Sequence, residues 1–481
     1  MKNKKLIAIL AAVLVVVLAG GGYLIYASQK PAAPEHEIAD PTVHSDIDKE
    51  QAQSGNTKTG LGVYSEFELF NAVPVMAGES ISYAQAVDVG GGDYMITANG
   101  TALSDYQAYL ADLEAKGFAK LADNGESGLG GAVYTAHYQK DGLHLIVTHI
   151  AKLNKTTITA TEGTEISEHL LYQDAYVAGN QPGAQTKLHL LELETAGNSF
   201  VLQLKDGHFL VLDGGHEEEL PHLTAYLESL TPEGEKPVID AWFFSHCHSD
   251  HMGTLVGLSK DPDYVDRICV ESVYFDFPGS DQIEKAGGYD NISRLVLYMK
   301  TVQTYLKNAE GQSPKVYHPH LGDRYYFSDF TIDIVYTMEL LEPEKWDTWN
   351  ASSTVMLLTI EGQRILLTAD SDWCSQVIYT SMYDKDFFDL DIYQAPHHGI
   401  NVYKQISNRL GTIKTIIYPT SQAGTTFSEG NFLSRKVQNA HLISLAQEAL
   451  HWGNGTVILT FPYTVGSAET LPQQFRLDEE K

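Results

Sequence analysis

The chain has 481 residues, enough for two or three domains, and its 43% hydrophobic content is enough to bury a sizeable core. It carries 32 Lys and Arg against 62 Asp and Glu, a formal net charge of −30, with no basic stripe interleaved with aromatics. Affinity for nucleic acid rests largely on cations that neutralise phosphates, so this balance argues against a long nucleic acid as substrate or partner.

Residues 1–5 form a basic flank (Lys2, Lys4, Lys5), and residues 6–26 are then 21 residues without a charge. That length spans a bilayer core and the lysines predict a cytoplasmic amino end. Residues 1–30 are therefore expected to be an uncleaved membrane anchor. A removed signal peptide is the alternative, for which Ile25-Tyr26-Ala27-Ser28 is not a clean exit. In either case the remainder is expected outside the cytoplasmic membrane, anchored or secreted, in a bacterial organisation. Residues 31–60 are polar, contain Pro31, Pro34 and Pro41, and read as a flexible linker.

Residues 61–165 read as a small α+β domain. Ser104-Asp105-Tyr106-Gln107 predicts a capping box, and Tyr106, Tyr109, Leu110 and Leu113 one helical face that ends at Gly117. Strands are predicted over 132–138, 143–150 and 156–160. His137, His144 and His149 are spread along them and read as ordinary sheet residues. No nucleophile motif or ligand cluster occurs in this part, which is expected to recognise a surface partner or to position an enzyme.

A catalytic region is expected over 185–465. A hairpin is predicted from Phe200–Leu204 and 209–215, the latter ending in Asp213-Gly214-Gly215. Leu220, Leu223, Leu227 and Leu230 mark a helix stopped by Thr231-Pro232, and the strand 238–244 leads into His246-Cys247-His248-Ser249-Asp250-His251. Alternation along an extended chain turns His246 and His248 to the same side, while Asp250 and His251 reach a second point nearby. Three imidazoles and a carboxylate so close suit Zn²⁺ or a similar first-row ion, with room for two side by side. Residues 273–312 are rich in aromatics (Tyr274, Phe275, Phe277, Tyr289) and fit a lid or core packing equally. Ile292, Leu295, Met299, Val302 and Leu306 mark a helix capped by Asn291. His318 and His320 flank Pro319 and are candidates to complete a metal pocket. Strands are predicted over 331–336, 354–360, 365–368, 389–394, 413–418 and 456–461. Cys247, Cys269 and Cys374 make neither a disulfide framework nor a zinc ribbon and read as small apolar residues, Cys374 being the closest to the site.

The order of these elements resembles the metallo-β-lactamase fold superfamily. The resemblance is carried by Leu212-Asp213-Gly214, by the His246 to His251 cluster, by Leu367-Thr368-Ala369-Asp370, and by Ala395-Pro396-His397-His398-Gly399. It implies an αββα sandwich and two divalent metal ions, Zn²⁺ first with Mn²⁺ or Fe²⁺ as alternatives. Their ligands would be His246, His248, Asp250, His251, Asp370 as the bridge, and His398 in preference to His397. Asp213 would support a ligating imidazole from behind. Asp250 and His397 are the expected catalytic groups, with His397 either protonating a leaving group or holding a neighbour by hydrogen bond. The chain departs from the pattern in one place. Where most hydrolases of the family carry a third zinc-binding His, it has Trp349-Asn350-Ala351-Ser352-Ser353. The pocket of His246 and His248 is thus one protein ligand short, and Asn350, Ser352 and Ser353 become candidate pocket residues. An Asn/Ser pair with a His-His-Gly ending resembles the subgroup of the hydrolase domain of bacterial DNA-uptake membrane proteins and phosphorylcholine esterases, although that subgroup usually follows the glycine with Ser and this chain has Ile400. The implied reaction is hydrolysis of a small or zwitterionic phosphodiester, or of such a group on a cell-surface component, by hydroxide generated at the metal pair. The rivals are a carbonyl hydrolase (lactone, thioester or β-lactam) and a catalytically idle surface-binding or sensor module. Oligomeric state is left open.

Overall fold

The computed structural model describes residues 60–481, except 79, 85, 164, 279–291, 342–348, 422–432, 454 and 475–481. The described residues belong to one compact unit, Lys58–Lys481. The expected anchor, and the linker up to residue 59, lie outside them. Among the described residues no helix is long and apolar enough to cross a membrane.

The first sheet is built from β1 (Ser82–Tyr83), β2 (Val87–Gly90), β3 (Asp93–Asn99), β4 (Ala119–Asp123), β5 (Val133–Lys140), β6 (Leu143–Ile150) and β7 (Lys155–Glu162). Its order is β1-β3-β7-β6-β5-β4, with β2 on β3, and all its pairings are antiparallel. The helix Leu103–Ala115 buries Tyr106, Tyr109 and Leu113 against it. The helix starts before Ser104, which therefore lies inside it and is no N-cap. Only half of a capping box forms: the Asp105 carboxylate accepts the Ala102 N–H at 2.8 Å.

Every residue of β6 is buried, although an antiparallel strand with one wet face would alternate. The second face is covered by the following part of the chain. Thr135 Oγ1 donates to Leu321 O at 2.7 Å, and Asn124 Nδ2 to Gly322 O at 3.0 Å. His137 is accordingly no ordinary sheet residue: Nε2 lies 2.7 Å from Asp323 Oδ1 and Nδ1 3.1 Å from His144 Nε2. His149 faces the helix and stacks on Tyr106.

The second sheet holds β8 (Lys187–Leu190), β9 (Ser199–Gln203), β10 (Phe209–Asp213), β11 (Val238–Phe244), β12 (Cys269–Val270), β13 (Ser272–Phe275) and β14 (Lys315–Tyr317). The third holds β15 (Arg324–Phe327), β16 (Phe330–Tyr336), β17 (Val355–Ile360), β18 (Gln363–Leu367), β19 (Ile392–Gln394), β20 (Ile413–Tyr418) and β21 (Ala446–His451), in that order. The chain then returns to the second sheet with β22 (Val457–Thr460) and β23 (Glu469–Thr470), giving the order β14-β13-β11-β10-β9-β8-β22-β23 with β12 on β11. Both sheets share one apolar core, in which Phe243 stacks on Tyr274 and meets Tyr325 of the other sheet edge-on at 5.8 Å. This mixed α/β arrangement is consistent with the expected sandwich.

Each of these two sheets contains a set of parallel strands. Strands β10, β11, β13 and β14 run parallel, as do β18, β19, β20 and β21. Parallel strands covered on both faces read as near-continuous apolar runs, which is how Phe209–Leu212 and Ala241–Phe244 look. Asp213 ends β10, His246 to His251 follow β11, Asp370 follows β18 and His397-His398 follow β19. These residues therefore leave their sheets at carboxyl ends of strands.

Candidate metal centre

Asp213 fixes the loop after β11. Its carboxylate accepts from Ser245 N at 2.8 Å, Ser245 Oγ at 2.9 Å and Asn198 Nδ2 at 2.7 Å, and its carbonyl accepts from Trp242 Nε1 at 3.0 Å. Asp213 itself has a left-handed backbone, φ 58. The same carboxylate lies 2.7 Å from His251 Nδ1, so that the imidazole turns Nε2 inward, 3.2 Å from Asp370 Oδ1. His246 is fully buried with Nε2 3.0 Å from His248 Nδ1, a close approach of two nitrogens that suits a shared ion. The helix Ser249–Lys260 begins at once and places Asp250 in its first turn. Asp250 Oδ2 lies 3.1 Å from His398 Nε2, and His398 Nδ1 is 3.0 Å from Pro419 O.

Two groups of ligand atoms result, each within 4.8 Å: Asp250, His251, Asp370 and His398, and beside it His246, His248 and Asp370. Asp370 belongs to both. Burial opposes its ionisation, but His251, His398 and His397 hold its carboxyl well below the usual carboxylate range. Burial likewise opposes ionisation of Asp250, and His251 and His398 hold it low. Burial pushes His246 well down, helped by His251 and His248, so that it is a neutral imidazole with a lone pair to give. The fit to a cation is decided by three atoms. His251 Nε2 and both Asp370 oxygens are buried and make no hydrogen bond among the described residues. Buried polar atoms are ordinarily satisfied, and these are the atoms that would bond an ion. The residues present could therefore hold divalent metal ions.

A family model described as Metallo-beta-lactamase superfamily matches residues 194–345. Over those residues the chain carries a metallo-β-lactamase superfamily domain. Among solved structures, the chain is similar to the metallo-beta-lactamase fold protein YhfI from Bacillus subtilis, at 14% identity and a TM-score of 0.33, over 56% of this chain and 96% of that one. It is also similar to the Cronobacter sakazakii metallo-beta-lactamase with a HARLDQ motif, at 16% identity and a TM-score of 0.24, over 41% of this chain and 66% of that one. No curated protein matches the chain.

The remaining sequence candidates fall into place around these groups. Asn350 is buried, with Nδ2 3.3 Å from His397 Nδ1. Ser352 Oγ donates to Trp349 O at 2.7 Å and so stabilises its own turn. Ser353 is fully buried, and the next residue, Thr354, ties this turn to the metal loop by donating its N–H to Ser245 O at 3.0 Å. His318 and His320 do not complete the short pocket. His320 Nδ1 lies 2.5 Å from Glu339 Oε1, and His318 packs beside Phe275. Tyr274, Phe275 and Phe277 are core rather than lid, while Tyr289 and Asn291 lie outside the described residues. The three cysteines form no disulfide among the described residues. Asn198, Ser245 and Pro419 escaped the sequence analysis. Only Ser245 left a signal, as a polar residue ending an apolar strand directly before the first histidine.

The metal loop is pressed tightly onto the chain in front of it. A Cβ at Gly253 would lie 2.5 Å from Glu217 N and 2.6 Å from His216 C, both backbone atoms that cannot swing away. Gly253→Ala is expected to destabilise the fold by about 1–3 kcal/mol and to lower its thermal midpoint. An unchanged midpoint would show that the helix carrying Asp250 and His251 can shift freely.

Proposed function

We propose that this protein is an extracytoplasmic metal-dependent hydrolase with two divalent ions, Zn²⁺ first, and that it cleaves small or zwitterionic phosphodiesters or such a group on a cell-surface component. The observation that carries the two-ion reading is the sharing of Asp370 between both ligand groups, Oδ1 toward His251 and His398 and Oδ2 toward His246 and His397. When bound, such ions acidify water to near neutral pKa and polarise a phosphoryl oxygen. The chain's own residues set the rest. Asp213 and Pro419 O orient imidazoles from behind, and the apolar core beneath keeps water from reaching the site from below. Asp250 and His397, with side chains 22% exposed, mark the mouth at which substrate enters.

Two features support a phosphodiester over a carbonyl substrate. Asn350 stands where carbonyl hydrolases of the resembled family have a third histidine, and its turn resembles that of the phosphodiester-cleaving subgroup. From residue 187 onward the sequence has 21 basic and 41 acidic residues, a field that repels long nucleic acid more than a small or zwitterionic diester. The extracytoplasmic placement rests on the uncharged run 6–26 behind three lysines. On one metal-replete preparation, turnover of a chromogenic phosphodiester is expected to exceed that of lactone and β-lactam substrates by at least about tenfold, roughly 1.4 kcal/mol in barrier. The reverse ranking would move the assignment to carbonyl chemistry, and efficient cutting of long DNA at low salt would show that the acidic field does not select the substrate.

A further inference from the structure

The pocket of His246 and His248 has Asn350 where a third histidine is expected, and neither His318 nor His320 makes up the deficit. We propose that His397 supplies the third imidazole of this pocket, with Asn350 as its positioning residue, an inference that rests on the metal-dependent function proposed for the site.

Three imidazoles of the site are held in one manner. Nδ1 of His246 lies 3.1 Å from Ser245 Oγ, that of His251 2.7 Å from Asp213 Oδ2, and that of His398 3.0 Å from Pro419 O. Each then turns Nε2 to Asp370, at 3.9, 3.2 and 3.5 Å. His397 repeats the pattern, with Nδ1 3.3 Å from Asn350 Nδ2 and Nε2 3.4 Å from Asp370 Oδ2. That oxygen is the one facing His246, whereas His251 and His398 face Oδ1. His397 therefore stands on the His246 side of the bridge, beside the tight group of His246, His248 and Asp370.

The amide of Asn350 decides what His397 can do. Its Oδ1 is buried without a hydrogen bond among the described residues, while Nδ2 meets the imidazole. The two ends of an amide have almost the same shape, and a half-turn lets Oδ1 accept the Nδ1 proton. The oxygen is then paired, Nδ2 takes its former place, and Nε2 keeps a lone pair directed at Asp370. A proton donor would instead need hydrogen on Nε2, with Nδ1 accepting from the amide nitrogen. The backbone supports the same orientation: His397 has φ 49, and its N–H donates to Ala369 O at 2.9 Å, beside Asp370.

The test is titration of the chelator-stripped full chain with Co²⁺, followed by calorimetry and by d–d absorption. The native chain is expected to bind two equivalents; binding of none would overturn the metal-dependent function itself and this inference with it. His397→Ala should keep one equivalent at native affinity and bind the other at least about tenfold more weakly, with an altered absorption band. Asn350→Ala should weaken that same equivalent by about tenfold, and Asn350→Asp, which again accepts the Nδ1 proton, should restore it to within about threefold of native. Two equivalents at native affinity in His397→Ala would overturn the inference and leave the metal-dependent function standing. If His397→Ala does not fold, the Asn350 pair decides: equal weakening in Asn350→Asp and Asn350→Ala overturns it.

Discussion

Asp370→Asn is expected to reduce bound metal from two ions per chain to at most one and to lower hydrolysis by at least about 10³-fold, near 4 kcal/mol in barrier. The substitution keeps size and shape but replaces a shared anion by a neutral amide. Asp370 is the one residue common to both ligand groups, and it is fully buried with its two oxygens turned to opposite pairs of imidazoles. His251→Ala should lose metal and activity together as well, although it strips one group only. Metal content by elemental analysis, read beside initial rates on the same preparation, checks both. Native turnover in Asp370→Asn, or in chelator-treated native protein, would sink the metallohydrolase assignment.

His320→Ala is expected to destabilise the fold by about 3–5 kcal/mol without touching the metal groups. His320 is buried among carboxylates, with Nδ1 2.5 Å from Glu339 Oε1 and Nε2 3.8 Å from Asp93 Oδ2 of the first sheet. Burial works against its charge, but Glu339, Asp93 and Asp323 raise it to about 10. Removing the cation leaves Glu339 and Asp93 buried without that counter-charge. The pH dependence has a definite sign. A group raised from 6.5 to about 10 on folding contributes stability that is complete below about 6.5 and fades as pH rises through about 10. Denaturation midpoints should therefore fall across that window in the native chain, and the slope should flatten in His320→Gln. An equal slope in both would show that His320 does not set it.

Most of the candidate metal residues were legible because their spacing is local. The alternation of His246 and His248, the turn into Asp250 and His251, and the apolar strands before Asp370 and His397 all lie within a few residues. The joint between the first sheet and the rest was not legible. His137 and Asp323 are 186 residues apart in sequence, and only the fold shows that a strand histidine is one end of a buried hydrogen bond between the two parts. The place of His320 was not legible for the same reason, since its partners Asp93 and Glu339 come from other segments. Ser104 marked the helix start two residues late because Asp105 can accept the Ala102 N–H without any capping side chain. Strand β21, Ala446–His451, has little apolar character and is placed by its pairing with β20.

Among the described residues, eight non-glycine residues have positive φ, and four of them, Asp213, Ala369, His397 and His398, surround the metal groups. Each such residue costs about 1–3 kcal/mol relative to relaxed backbone. Selection of this chain for heat resistance alone would then be drawn to the very positions that shape its chemistry. Ala369→Gly would relieve the backbone and let the neighbouring ligands drift, giving a sturdier and poorer enzyme. Robust variants that keep their turnover should come instead from surfaces far from Asp370, and a library sorted first for stability would lose its best catalysts in the first round.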